Sequence, residues 1–330
     1  MNRRIATAAV LVAGLAFAAP ARAAEIDALL PSETESVIYV NVKQILDSKI
    51  VKKYALGQIK QTLESNDDAQ RMMKDLGIDP LKDIDRVTAG SWGKDKDDMN
   101  LVAIVRGKFD PAKLMATAEK EAKNNGDKLS IVTEGDYKLV KFTPDNSPKP
   151  VYVSAADDKT VVIATDKKLA ANALTAAVKG TKPTVKKELA QLLLKMDEKA
   201  SMYTCGTVDG SKVQLPPNMN IPGLDGEKFA KQLEKMKTIS FTVRVTDDFT
   251  LDGNAGMDDA AAADDFGDTM NQLIGTVKGF LPLVTMQNAK LQPLAKEVGN
   301  TLKSGVKSKD VTMSLKISGD TINQVVGGGD

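Results

Sequence analysis

Ser304 and Lys307 stand at the spacing of the Ser-x-x-Lys nucleophile of penicillin-recognising enzymes, in which the serine opens a helix and works with Ser-Asp-Asn and Lys-Thr-Gly partners. Here Ser304-Gly305 falls where a helix is expected to end, and neither partner motif occurs, so the match reads as coincidence. Histidine is absent from the chain. That removes His-based nucleophilic triads, His-ligated zinc and haem, and the usual proton carrier near neutral pH. What remains is carboxylate chemistry, or binding without turnover. No pair of acids stands out as a catalytic couple, and no cofactor motif is present.

Two acidic clusters invite comparison with calcium sites, which gather about six to eight oxygen ligands. Asp95-Lys96-Asp97-Asp98 continues with Met99, Asn100 in place of the invariant turn glycine, and Arg106 where a bidentate acid belongs, so it is not an EF-hand. Asp258, Asp259, Asp264, Asp265 and Asp268 are closer in number to a cation site. Acids at a helix start also serve as caps and as partners of the helix dipole, and that is the preferred reading. Cys205, the single cysteine, has no internal partner; beside Tyr203 on a strand it reads as a small buried hydrophobe, with pairing between chains as the alternative. Trp92, at a strand end before Gly93, reads as a hairpin anchor. Met270, Leu273, Ile274, Val277, Leu281, Val284 and Met286 form the longest apolar helical surface. It is either core or an adaptable surface for a peptide or acyl chain, with Met270, Leu273, Ile274, Val277 and Leu281 as the candidate lining.

These side chains must be positioned by short strands, acidic turns and amphipathic helices. Val37 to Val42 reads as a first strand. One helix is expected to follow with Leu46, Ile50, Tyr54, Ile59 and Leu63 on its apolar side. A second ends at Leu76-Gly77, and Asp79-Pro80 opens a turn. Hairpins are expected around Lys94 to Asp98, Glu134-Gly135-Asp136 and Asp157-Asp158, and helices start at Asp110-Pro111, Asp166 and Thr184. The first of these helices closes around Asn125-Gly126. From Ser201 the order of elements begins again: a strand, a Pro-rich loop from Gln214 to Gly223, a helix capped by Asp225, a hairpin, and a long helical stretch broken near Pro282. A closing hairpin is expected over Val311 to Val326, turning at Ser318-Gly319-Asp320. The implied fold is α+β: two similar units, each an antiparallel sheet with helices packed on one face.

Arg3-Arg4, the apolar run Ile5 to Ala19 and Ala21-Arg22-Ala23 have the order of a cleavable export signal. The organisation expected is therefore a signal peptide over 1–23, an α+β unit over 24–198, and a second over 199–330 with a long helical insertion and a disordered glycine-rich tail. Signal removal takes three arginines and leaves 42 Lys and Arg against 44 Asp and Glu, interleaved along the chain. Such a balance builds no basic field for nucleic acid, and no later segment is long and apolar enough to anchor the mature chain in a membrane. The expected product is a soluble periplasmic or extracellular protein.

The runs Leu29-Leu30-Pro31-Ser32-Glu33-Thr34, Val40-Asn41-Val42, Leu76-Gly77-Ile78-Asp79-Pro80 and Phe109-Asp110-Pro111-Ala112-Lys113 resemble a family of uncharacterised exported bacterial proteins. The resemblance implies export and architecture and brings no activity or catalytic residues. Together with the missing imidazole it points to a binding or structural role in the bacterial envelope, toward a peptide, a lipid or another protein. A carboxylate-dependent hydrolase is the alternative.

Overall fold

The computed structural model describes residues 25–67, 70, 73–74, 77–93, 98–124, 128–143, 149–213 and 224–327. The expected signal at 1–23, Leu76, the turn at 94–97, the closure at Asn125-Gly126, the Pro-rich loop at 214–223 and the tail glycines Gly328 and Gly329 lie outside the described residues. The fold is α+β with one large antiparallel sheet. Its strands are β1 (Ser36–Val40), β2 (Ile84–Trp92), β3 (Asn100–Gly107), β4 (Leu129–Glu134), β5 (Tyr137–Phe142), β6 (Val151–Asp157), β7 (Thr160–Ala164), β8 (Met202–Thr207), β9 (Met236–Val245), β10 (Phe249–Met257), β11 (Lys303–Lys307) and β12 (Asp310–Ile317). They lie in the order β11-β12-β10-β9-β8-β1-β2-β3-β7-β6-β5-β4. The helices are α1 (Val42–Asp47), α2 (Lys49–Tyr54), α3 (Leu56–Glu64), α4 (Pro80–Asp83), α5 (Pro111–Asn124), α6 (Lys167–Lys179), α7 (Lys187–Leu193), α8 (Gly226–Glu234), α9 (Ala260–Gln287), α10 (Gln292–Thr301) and α11 (Gly319–Val326).

One sheet runs through both parts of the chain, with β1–β7 on one side of a seam and β8–β12 on the other. Its seam is β1 against β8, where Val37 faces Cys205 and Tyr39 faces Tyr203. The two tyrosine rings stack 4.7 Å apart at 12°. Directly opposed residues share a face of an antiparallel sheet, so the register fixes which side each core occupies. Val37, Tyr203 and Cys205 join Val102, Ile104, Val162 and Leu139 under α6 and α7, through Ala170, Ala173, Leu174, Leu189, Leu192 and Leu193. On β9, Ser240 faces Cys205 while Ile239 faces Gly206, which puts Ile239 on the other side of the sheet. That other side holds the second core: Ala255, Met257 and Val311 beneath Leu233 of α8 and Ala262, Ala263 and Phe266 of α9. The two cores thus use opposite faces of one sheet.

The strand sequences show why. In β12, Val311, Met313, Leu315 and Ile317 alternate with Thr312, Ser314 and Lys316, the pattern of a strand wet on one side. β3 instead runs Leu101-Val102-Ala103-Ile104-Val105, and its central three residues are all buried. It cannot present a polar side.

Several caps form where the residues call for them. The Asp79 carboxylate accepts from the Leu81 amide with Pro80 opening α4, and Asp166 and Asp225 cap α6 and α8 in the same way. Gly77 takes the left-handed conformation (φ 68°) that other residues resist. Four elements differ from expectation. The single helix after β1 is three, because Ser48 turns extended and caps α2, and Ala55 breaks the chain again. The helix expected from Thr184 starts at Lys187, without a side-chain cap. α9 passes through Pro282, which lacks only one backbone donor, and stops at Asn288, whose carbonyl side chain accepts from the Lys290 amide. The closing hairpin is β11 with β12, turning at Ser308; Ser318 accepts from the Thr321 amide and starts α11 in place of a second strand arm.

Candidate functional site: an apolar groove beside the sheet

The chain between β1 and β2 encloses an open groove of about 600 Å³. Among the described residues its walls are Val42 and Leu46 of α1, Ala55, Gln58, Ile59, Thr62 and Leu63 along α3, Pro80 and Leu81 of α4, and Ile84 at the start of β2. Helical spacing explains the lining. Val42 and Leu46 are one turn apart, as are Ala55 and Ile59, and Ile59 and Leu63, so each helix turns one side inward. Gln58 and Thr62 supply the only polar side chains of that lining, and none of its residues is ionisable. The breaks at Ser48 and Ala55 shape the groove: in an unbroken helix Leu46 would stand about 140° around the axis from Ile59, and the bends let both line the same hollow.

α4 forms the opposite wall and is held firmly. The Asp79 amide donates to the Asp83 carboxylate (2.7 Å), and the Lys108 amide donates to the Asp83 carbonyl (2.7 Å). Gly107 permits that approach, since a Cβ there would sit against the Asp83 carbonyl oxygen. At the rim, the hydrogen bond from Lys82 holds the Asp79 carboxyl below the usual carboxylate range; burial opposes it, and the Leu81 amide, the Lys82 charge and Lys60 add to it. Segment 42–64 carries Lys43, Lys49, Lys52, Lys53 and Lys60 against Asp47 and Glu64, and the opposite wall carries Asp79, Asp83 and Asp85 against Lys82, so charge around the groove is nearly balanced.

The five aspartates considered for calcium do not gather. Asp259 caps α9 by accepting from the Ala262 amide (2.8 Å), and Asp258 pairs with Lys237 (3.1 Å). Asp264, Asp265 and Asp268 follow exposed along the helix. Among the described residues no three Cys, Asp or Glu side chains converge as metal ligands. The candidate apolar surface on α9 is split: Ile274 is buried, Met270 packs against the second core, and the Leu281 side chain lies within reach of Gly299 of α10. Leu273 is half-buried and Val277 exposed. Phe280 and Leu283, which the sequence reading did not single out, are exposed beside Val277.

Cys205 is buried, and burial pushes its thiol up to about 12. Tyr203 is raised above the ordinary tyrosine range, by burial first and then by Cys205 and Tyr39. Ser304 lies on β11 with its hydroxyl on the Asn271 side-chain oxygen (2.6 Å). Lys307, three residues along the same strand, points to the opposite face, so the two form no dyad. Trp92 packs against the first core. A smaller hollow of about 220 Å³ between α8 and α9 is lined by Leu224, Asp225, Lys228, Phe229, Thr269 and Gln272. Its one carboxylate caps α8, accepting from the Glu227 and Lys228 amides.

Among the described residues no helix is long and apolar enough to cross a membrane. No family model matches the chain. No curated protein matches it either. Among solved structures it is similar to a chain described as TP0453 in crystal form I, at 9% identity and a TM-score of 0.48, over 92% of this chain and 98% of that one. A likeness so distant carries no functional information.

Proposed function

We propose that this chain is an exported binding protein of the bacterial envelope, related to the uncharacterised exported proteins it resembles, and that its groove between α1, α3 and α4 holds the acyl chain of a lipid or fatty acid. The observation that carries the reading is an open apolar groove of about 600 Å³ whose described walls hold no ionisable group. Ligand pockets run from about 300 to about 1,000 Å³ and are mainly apolar with a few polar groups. The order Arg3-Arg4, Ile5 to Ala19, Ala21-Arg22-Ala23 supports export. Two converging acids would have favoured a hydrolase; the smaller hollow offers Asp225 alone, already engaged as a cap.

Energetics sharpen the claim. Each buried methylene contributes about 0.8 kcal/mol, so ten contribute about 8 kcal/mol. Association costs about 4 kcal/mol or more, so short chains fail to bind and affinity climbs steeply with length. The test is a displacement titration with saturated fatty acids of about eight to about sixteen carbons, with affinity expected to rise about tenfold for each added pair of buried methylenes. Ile59→Glu should weaken the longest by at least about tenfold, since a buried carboxylate is expensive to desolvate. Flat affinity across the series, or an unaffected variant, refutes the reading. N-terminal sequencing of protein recovered from the envelope tests export: a start at Ala24 is expected, and an intact Met1 refutes it.

A further inference from the structure

The hairpin of α9 and α10 carries a second apolar surface, unrelated to the groove. Val277, Phe280, Leu283 and Val284 are each between 43 and 53% exposed. At about 100° per residue they share an arc of about 120° on α9, which is the stripe of an amphipathic helix with no described element of this chain laid over it. The first half of α9 buries Ala262, Ala263, Phe266, Gly267 and Thr269 against the second core, whereas the exposed stripe lies in the half that runs on to Gln287. A contiguous apolar patch at the end of a helical hairpin marks a contact surface.

Charge identifies what it meets. From Thr269 to Lys296 the chain contains no Asp or Glu, although 44 of its 330 residues are acidic, and it contains Lys278, Lys290 and Lys296. A second copy of the chain would bring this lysine-bearing, acid-free segment against itself with no carboxylate in it to pair. An anionic bilayer complements both features: apolar side chains enter the boundary between head groups and acyl tails, and flanking lysines meet lipid phosphates. We infer that α9 beyond Leu273, with the turn into α10, is a docking surface for an anionic lipid bilayer, lying on the membrane without spanning it.

Sedimentation of the full mature chain with vesicles tests this. On phosphatidylcholine containing about one third phosphatidylglycerol, partition should exceed that on phosphatidylcholine alone and should fall as salt rises. The double variant Phe280→Ser with Leu283→Ser should lose at least about tenfold in partition with an unchanged melting midpoint, because both side chains are already exposed. Lys290→Glu with Lys296→Glu should weaken binding severalfold and leaves the apolar stripe intact. Ile59→Glu should leave partition unchanged, which separates this surface from the acyl groove. Equal partition onto both vesicle types, absence of partition, or a dimer in sedimentation velocity that the Phe280 and Leu283 changes dissolve would overturn it.

Discussion

At the scale of single residues, four side chains of the seam between the two halves of the sheet face the first core: Val37 and Tyr39 on one strand, Cys205 and Tyr203 on the other. Stacked aromatic pairs of this kind contribute about 0.5–1.5 kcal/mol beyond their buried area. The thiol among them is 1% exposed, and burial raises it to about 12, so the reactive thiolate is scarce at neutral pH and out of reach. Cys205 in the native protein should therefore react with a disulfide reagent at least about a hundredfold more slowly than in denaturant. Equal rates followed by absorbance would mean that this seam opens readily. Reading Cys205 as a buried hydrophobe needed only its strand neighbours. Its position opposite Val37 depended on a pairing between residues far apart in sequence, which no local pattern encodes.

At the scale of elements, α11 shows how a short helix is fastened. Glu297 of α10 accepts from the Ser318 amide (2.9 Å) and the Ser318 hydroxyl (3.0 Å), while Asp248 accepts from the Gly319 amide (3.0 Å) and pairs with Lys316 (2.7 Å). Asp248 is held below the usual carboxylate range by Lys316 first and by the Gly319 amide. For Glu297 burial is the largest influence and pushes upward, but the bonds from Thr321 and Ser318 together outweigh it and the net shift is downward. A carboxylate depressed in the folded state stabilises it above the unfolded value, about 4 in both cases, and loses that contribution as pH falls through the folded value. Amide exchange in residues 319–326 should thus accelerate, relative to the sheet, on acidification from about pH 6 to below about pH 4. Protection that stays constant relative to the sheet contradicts the network.

The same region shows what the sequence left hidden. Thr321-Ile322-Asn323-Gln324-Val325-Val326 is rich in β-branched residues, so strand was the natural reading, and the helix is imposed by the Ser318 cap and by Glu297 from another element. The caps at Asp79, Asp166 and Asp225 were legible because they act within three residues. The groove was not. Leu46, Ile59 and Leu63 were visible as apolar positions, but the bends at Ser48 and Ala55 that turn them into walls rest on one serine hydroxyl and a backbone change without a side-chain cap.

At the scale of the whole molecule, one sheet carries two cores on opposite faces, and the β1–β8 seam couples them. Alternation in β12 and the continuous apolar run in β3 were both readable, yet the joining of the two units into twelve strands was not, since it depends on edges meeting. A shared sheet predicts shared unfolding. Emission from Trp92, which packs on the first core, and the far-ultraviolet helix signal, in which α9 of the second half is the largest single contributor, should trace coincident denaturation curves. Separate midpoints would show that the halves melt independently.

An open ribbon of twelve strands has two margins, β11 and β4, and each is an invitation to polymerise. β11 is five residues long and carries Lys303 and Lys307, both exposed, on the same side at its two ends; β4 lies against α5. The ammonium groups and the shortness of β11 deny an incoming strand a long, flat template at that margin, so the width of this sheet carries less risk of fibre growth there.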